Sequence, residues 1–337
     1  MTVASPLLII GALMPDFSAF IPETHRNVSS GYVETLIQAR REELFTGLMR
    51  LSYPSGENLG FTFLEGVQQK LYRFFEDTVD VIPRQIWSDT LDHSSISVGF
   101  LRLSVEAMRF TRIVCEAPVV RVERLTLAPG GLIDTARKWS VEPEPGIVHV
   151  QSEVINKYYL IAGHSTPVVE ELSFAEGGVR FSLSDGSFSQ TLPQTTYVVT
   201  RYVSNRDHET WHEHGLRLAF NPFLRMLLNR FGELAGRALT GRLCERLSIW
   251  AGENGWNVAI SSNGIVNRQY FETLESAVGF YIELIRRFQS EASPALGARM
   301  IDGIARDVLI KLDPYRRELL TRHIYSQSGV GAIIGVS

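Results

Sequence analysis

The residues best placed by type and spacing to do chemistry are His208, Glu209 and His212, within the string NRDHETWHEHGLRLAF at residues 205–220. On a helix, positions four apart share a face. His208 and His212 would then hold a zinc ion while Glu209 takes a proton from the metal-bound water. A catalytic zinc needs a third protein ligand, for which His214, His164 and Glu170 are the candidates. A second metal arrangement would use His212 and His214 as a His-x-His pair beside a β-rich zone, but Leu218-Ala219-Phe220 supplies no glutamate to follow it.

With Gly215 in place, the string resembles the longer H-E-x-x-H-x-x-G-x-x-H pattern of the metzincins, yet Leu218 stands where that family has its third ligand. The flanks also differ from those of zinc hydrolases, whose motif helices lie inside a domain. Here Arg206, Asp207, Glu213 and His214 surround the motif. The string therefore reads as a charged, solvated joint between a strand and the next helix, with zinc-dependent hydrolysis through Glu209 as the alternative. No phosphate loop, dinucleotide fingerprint or G-x-S-x-G elbow occurs. Ala128-Pro129-Gly130-Gly131 reads as a turn with no helix clearly after it. Cys115 and Cys244 sit among apolar residues and read as small core side chains, not as a disulfide framework or nucleophiles.

The 337 residues, 45% hydrophobic and 21% charged, are those of a globular chain of one large or two ordinary domains. A net charge of -4 gives no global field for nucleic acid or anionic membranes. No run reaches the ~18 apolar residues of a membrane span. The apolar stretch near the N-terminus lacks a preceding Lys or Arg and is closed by Pro15-Asp16, so it reads as a buried strand and not a secretory signal. A cytoplasmic or virion-internal setting fits.

Three zones differ in hydrophobic period, which predicts an α+β fold with boundaries at 116/117 and 205/206. In residues 1–116 helical spacing links Val33, Leu36, Ile37, Leu44, Phe45 and Leu48, then Leu64, Val67, Leu71, Phe74 and Phe75, then Leu101, Val105, Met108 and Ile113. Residues 117–205 alternate with a period of two and predict an antiparallel β-sandwich or small barrel, with tight hairpin turns at Gly177-Gly178 and Asp185-Gly186. Residues 206–337 return to helical spacing, with helix starts at Asn221-Pro222, Ser293-Pro294 and Asp313-Pro314. Between these lies a ββα unit at 256–288, turned by Ser262-Asn263-Gly264 and ending its helix near Arg286-Arg287.

Two features suggest partners. Six arginines between Arg217 and Arg246, among them Arg237 and Arg242, oppose only Glu233 and Glu245; they read as a solvated helix face, with a surface for nucleic acid or an acidic partner as the alternative. The tail GVGAIIGVS, with Ile333 and Ile334, is costly to leave in water and either docks on its own core or joins a neighbour. In layout, helices flanking an inserted antiparallel domain resemble the trimeric middle-layer capsid proteins of double-stranded RNA viruses. RDHETWHEHGLRLAF is loosely similar to a Trp-His-Gly-Leu-Arg string in the orbivirus members, while the ββα unit has no counterpart there. The expectation is a non-enzymatic structural or assembly protein that forms a homo-oligomer without a cofactor. The alternatives are a zinc hydrolase and a nucleic-acid or ligand-binding module.

Overall fold

The computed structural model describes residues 23–55, 57–75, 78–82, 95–128, 131–140, 142, 144–152, 156–161, 169–175, 178–184 and 195–326. They form an α+β fold that divides into two compact units, residues 1–208 and 209–337. No helix among the described residues is long and apolar enough to cross a membrane.

The first unit holds two antiparallel sheets. One has the strand order β1-β6-β2-β3-β4-β5, from β1 (Glu23–Val28), β2 (Gly47–Ser52), β3 (Asn58–Leu64), β4 (Val67–Phe75), β5 (Thr78–Ile82) and β6 (Ile96–Arg102). Helix α1 (Ser30–Glu42) packs Val33, Leu36 and Ile37 on the same core as Phe45, Met49, Leu51, Phe61 and Phe63. Helix α2 (Val105–Glu116), capped by Ser104, is anchored by its last residue. The Glu116 carboxylate accepts hydrogen bonds from Lys70 Nζ (2.6 Å), the Tyr72 hydroxyl (2.9 Å) and Arg112 Nε (3.1 Å). Cys115 lies buried beside it, and burial, with the Glu116 charge, pushes its thiol well above the usual range.

Helical spacing misleads for much of residues 44–102. Leu48 lies in β2, Leu64 in β3, Val67, Leu71, Phe74 and Phe75 in β4, and Leu101 in β6. Only α1 and α2 are helical in the described part of residues 23–116. The determining residues are Glu65 and Gly66, both left-handed (φ 48° and 79°), which turn β3 directly into β4 as a two-residue hairpin.

The second sheet has the order β11-β10-β9-β8-β12-β7, from β7 (Val119–Leu127), β8 (Gly146–Gln151), β9 (Asn156–Ile161), β10 (Val169–Ala175), β11 (Gly178–Ser184) and β12 (Tyr197–Ser204). It is an open antiparallel sheet among the described residues, where a sandwich or barrel was expected. Ala175 pairs with Gly178, so Gly178 is the first residue of β11 and not part of the expected Gly177-Gly178 turn. Asp185-Gly186 lies outside the described residues. A helix, α3 (Gly131–Ser140), does follow Gly131 and sets Trp139 on a core of Val148, Val150, Tyr159, Tyr197 and Val199. Arg201 of β12, fully buried, pairs with Glu142, approaches Glu123 of β7 at 3.7 Å and lies over the Trp139 ring at 5.4 Å.

The second unit is built on α4 (Glu209–Ala235), which runs straight through Asn221-Pro222 where a helix start was expected. The Asn221 side chain accepts from the Ile265 backbone N–H (3.1 Å) and so pins the hairpin β13 (Val258–Ser261) and β14 (Gly264–Asn267) to α4. Gly236, at φ 92°, ends α4 and begins α5 (Arg237–Glu253), on whose inner side Cys244 is buried. Helix α6 (Leu274–Leu296), with a Thr273–Ser276 capping box, continues past Arg286-Arg287 and through Pro294, so neither is an end or a start. Arg287 pairs with Glu291 one turn on, and the Ser293 hydroxyl bonds back to the Gln289 carbonyl. Helix α7 (Ala298–Lys311) precedes α8 (Pro314–Leu320), which opens at Asp313-Pro314 as expected, Asp313 accepting from Arg316 N. A π-helical turn, Thr321–Tyr325, closes the described chain.

The β3–β4 turn gives the first test. A Cβ on Gly66 would lie 2.5 Å from the Arg41 carbonyl oxygen in a left-handed residue, whereas one on Gly279, within α6, meets nothing within 4 Å. Gly66→Ala is expected to lower stability by about 1–3 kcal/mol and Gly279→Ala to leave it unchanged or raise it by up to about 1 kcal/mol, read from urea midpoints.

Candidate functional site

His208 closes the first unit, half-buried ahead of the helix, with its backbone N–H donating to the Asn205 carbonyl (3.3 Å). Glu209 opens α4 and is exposed. From Thr210 to Arg217 every residue is buried, so the string is a packing seam of the second unit and not the solvated joint expected. The motif's first histidine thus precedes the helix, and its second lies one turn inside.

Each part of the seam has a physical role. A Cβ on Gly215 would come within 2.7 Å of Leu319 and 2.8 Å of the Tyr315 hydroxyl, so the glycine lets α8 approach α4 closely. Arg217 donates to the backbone oxygens of Asn267 (2.8 Å) and Gln269 (2.6 Å), pairs with Glu213 (3.4 Å) and lies over the Phe271 ring at 5.5 Å. The Trp211 and His214 rings meet edge to face at 5.8 Å.

His212 contacts a group that the sequence does not flag. Its ring lies 4.9 Å from that of His323, which the π-helical turn carries in from the far end of the chain. His323 is buried, and burial first, with His212 and Arg322 adding to it, lowers its pKa to about 4. Tyr325, two residues on, packs edge to face on Phe223 at 6.1 Å, and burial raises its hydroxyl above the usual range. No spacing rule links His212 to His323, because the contact depends on how α8 folds back. Among the described residues no three His, Cys, Asp or Glu side chains gather as a metal-ligand set. His164 lies outside the described residues, and Glu170 is a β10 residue paired with Leu160 and Leu183.

Arg237, Arg242 and Arg246 all lie on the exposed side of α5, and Arg246 pairs with Glu291 of α6 at 2.9 Å. Ile333 and Ile334 lie outside the described residues. A surface that the sequence presents only as one more strand is β7. It is the edge of its sheet and pairs with β12 alone among the described strands. Val120, Val122 and Leu125 are 54%, 37% and 39% exposed; Val122 faces one side of the sheet and Leu125 the other, while Val120 lies at the irregularity between Val119 and Arg121. The only signal for this in VVRVERLTL is that neither alternating set is wholly apolar.

Comparison with family models, with curated proteins and with solved structures finds no match to the chain.

The depressed His323 sets a pH dependence. Its ordinary value is 6.5 and its folded value about 4, so as pH falls the unfolded chain takes up this proton first. Stability is therefore lost as pH drops from about 6.5 towards 4 and levels off below. His323→Phe is expected to show a shallower loss than wild type over that window in urea unfolding; parallel curves would remove His323 as the cause.

Proposed function

We propose that the chain is a non-enzymatic structural or assembly protein that works as a homo-oligomer, a subunit of a shell or other complex. The observation that carries this reading is β7, whose outer edge and exposed valines form a template for pairing with another chain. Natural edge strands are commonly short, bulged away or blocked by inward charge. β7 has an irregularity at its Val119 end but keeps a regular register with β12 from Tyr197↔Leu127 to Val203↔Arg121. The packing of the segment after HETWH supports the same reading, since Gly215 and Arg217 both serve the contacts that hold the second unit together.

A second reading, zinc-dependent hydrolysis through His208, Glu209 and His212, is favoured by one contact, the His212–His323 pair, which brings another imidazole to the motif. Light scattering after size exclusion, with elemental analysis of the same untagged sample, separates the two. The expected result is a mass that is a multiple of 37.9 kDa and no stoichiometric metal. A monomer containing about one zinc per chain, with hydrolysis abolished by Glu209→Gln, would replace assembly with the hydrolase reading.

A further inference from the structure

Residues opposite each other in an antiparallel ladder point to the same face of the sheet. Two copies of one strand related by a two-fold axis through the sheet must therefore place some residue opposite its own copy. This leaves few registers for β7 against β7. Centring on Arg121, Glu123 or Arg124 sets like charges face to face, which destabilises a ladder. Centring on Leu125 overlaps only residues 123–127 and matches no charges.

Centring on Val122 overlaps residues 119–125 and is self-complementary at its centre, up to the irregularity at Val120. Val122 meets Val122, and Arg121 faces Glu123 on each side of the axis. Beyond Arg121 the irregularity at Val120 ends the regular ladder at each end. The charges are in place for this. Arg121 and Glu123 already lie on one face, 2.8 Å apart, and remain partly exposed, so each can reach across the edge. The apolar contact would fall on Val122, which is exposed.

We infer that β7 pairs antiparallel with β7 of a second copy, centred on Val122, joining two six-stranded sheets into one continuous sheet. This inference rests on the self-association proposed above and assigns its contact surface. Opposite Cα atoms in such a ladder are about 4.5–5.5 Å apart, within disulfide reach, whereas Val120 and its copy would be offset by about 13 Å along the strands. The native Cys115 and Cys244 are buried and do not compete.

The test is mild oxidation of Val122→Cys and Val120→Cys variants of the full chain, followed by non-reducing electrophoresis, with light scattering of wild type and Val122→Lys. Val122→Cys should be captured as a covalent dimer and Val120→Cys should not. Val122→Lys, placing two ammonium groups face to face, should weaken association by about tenfold or more. An oligomeric wild type with no selective capture at Val122, or with Val122→Lys equally associated, overturns this interface while leaving self-association standing. A wild-type mass of 37.9 kDa overturns both.

Discussion

The second unit is organised around a guanidinium held out of water. Arg217 sits in the buried first half of α4 and gives its hydrogen bonds to the backbone oxygens of Asn267, the last residue of β14, and Gln269, and to Glu213. A charge in that position is tolerable only while those partners stay where they are, and removing one member of such a set typically costs about 3–5 kcal/mol. The hairpin, Phe271 and the helix are thereby fixed to one another. Asn221, one turn further along α4, holds the same hairpin through Ile265. Gly264 at its turn is needed because a Cβ there would lie 2.3 Å from the Asn221 side-chain oxygen. Polar groups thus set the register in which the apolar surfaces of α4 to α7 close.

The first unit uses the same device twice. Glu116 collects Lys70, Tyr72 and Arg112 where α2 meets β4, and Arg201 collects Glu142 and Glu123 beneath Trp139. These sites sit where a helix meets a sheet, and there a buried ion pair selects one arrangement more than it adds net stability.

Legibility in the sequence followed local chemistry. The hairpin at 258–267 was readable because Asn263-Gly264 announces its turn, and α8 because Asp313 caps it ahead of Pro314. The β3–β4 hairpin was not, since β3 is buried on both faces from Leu59 to Phe63 and so loses the alternation that marks a half-exposed strand. The steps Leu64, Val67 and Leu71 then mimic a helix. The proline signals failed at Pro222 and Pro294 because tertiary packing carried the helices through them. At the candidate site, the charged look of residues 205–220 suggested solvent, but Thr210 to Arg217 are buried, with Arg217 bonded near residues 267–269 and His212 against His323, partners that no local pattern connects to them.

The position of β7 also bears on the order in which its sheet can form. It is the first strand of that sheet in the chain, and its described partner, β12, is the last. Strands β8 to β11 pair each with the next in sequence, whereas joining β7 to β12 must close a loop around all four, an entropic cost met before any ladder is gained. A nascent chain whose synthesis has not reached Tyr197 therefore carries β7 with neither of its edges paired within its own sheet.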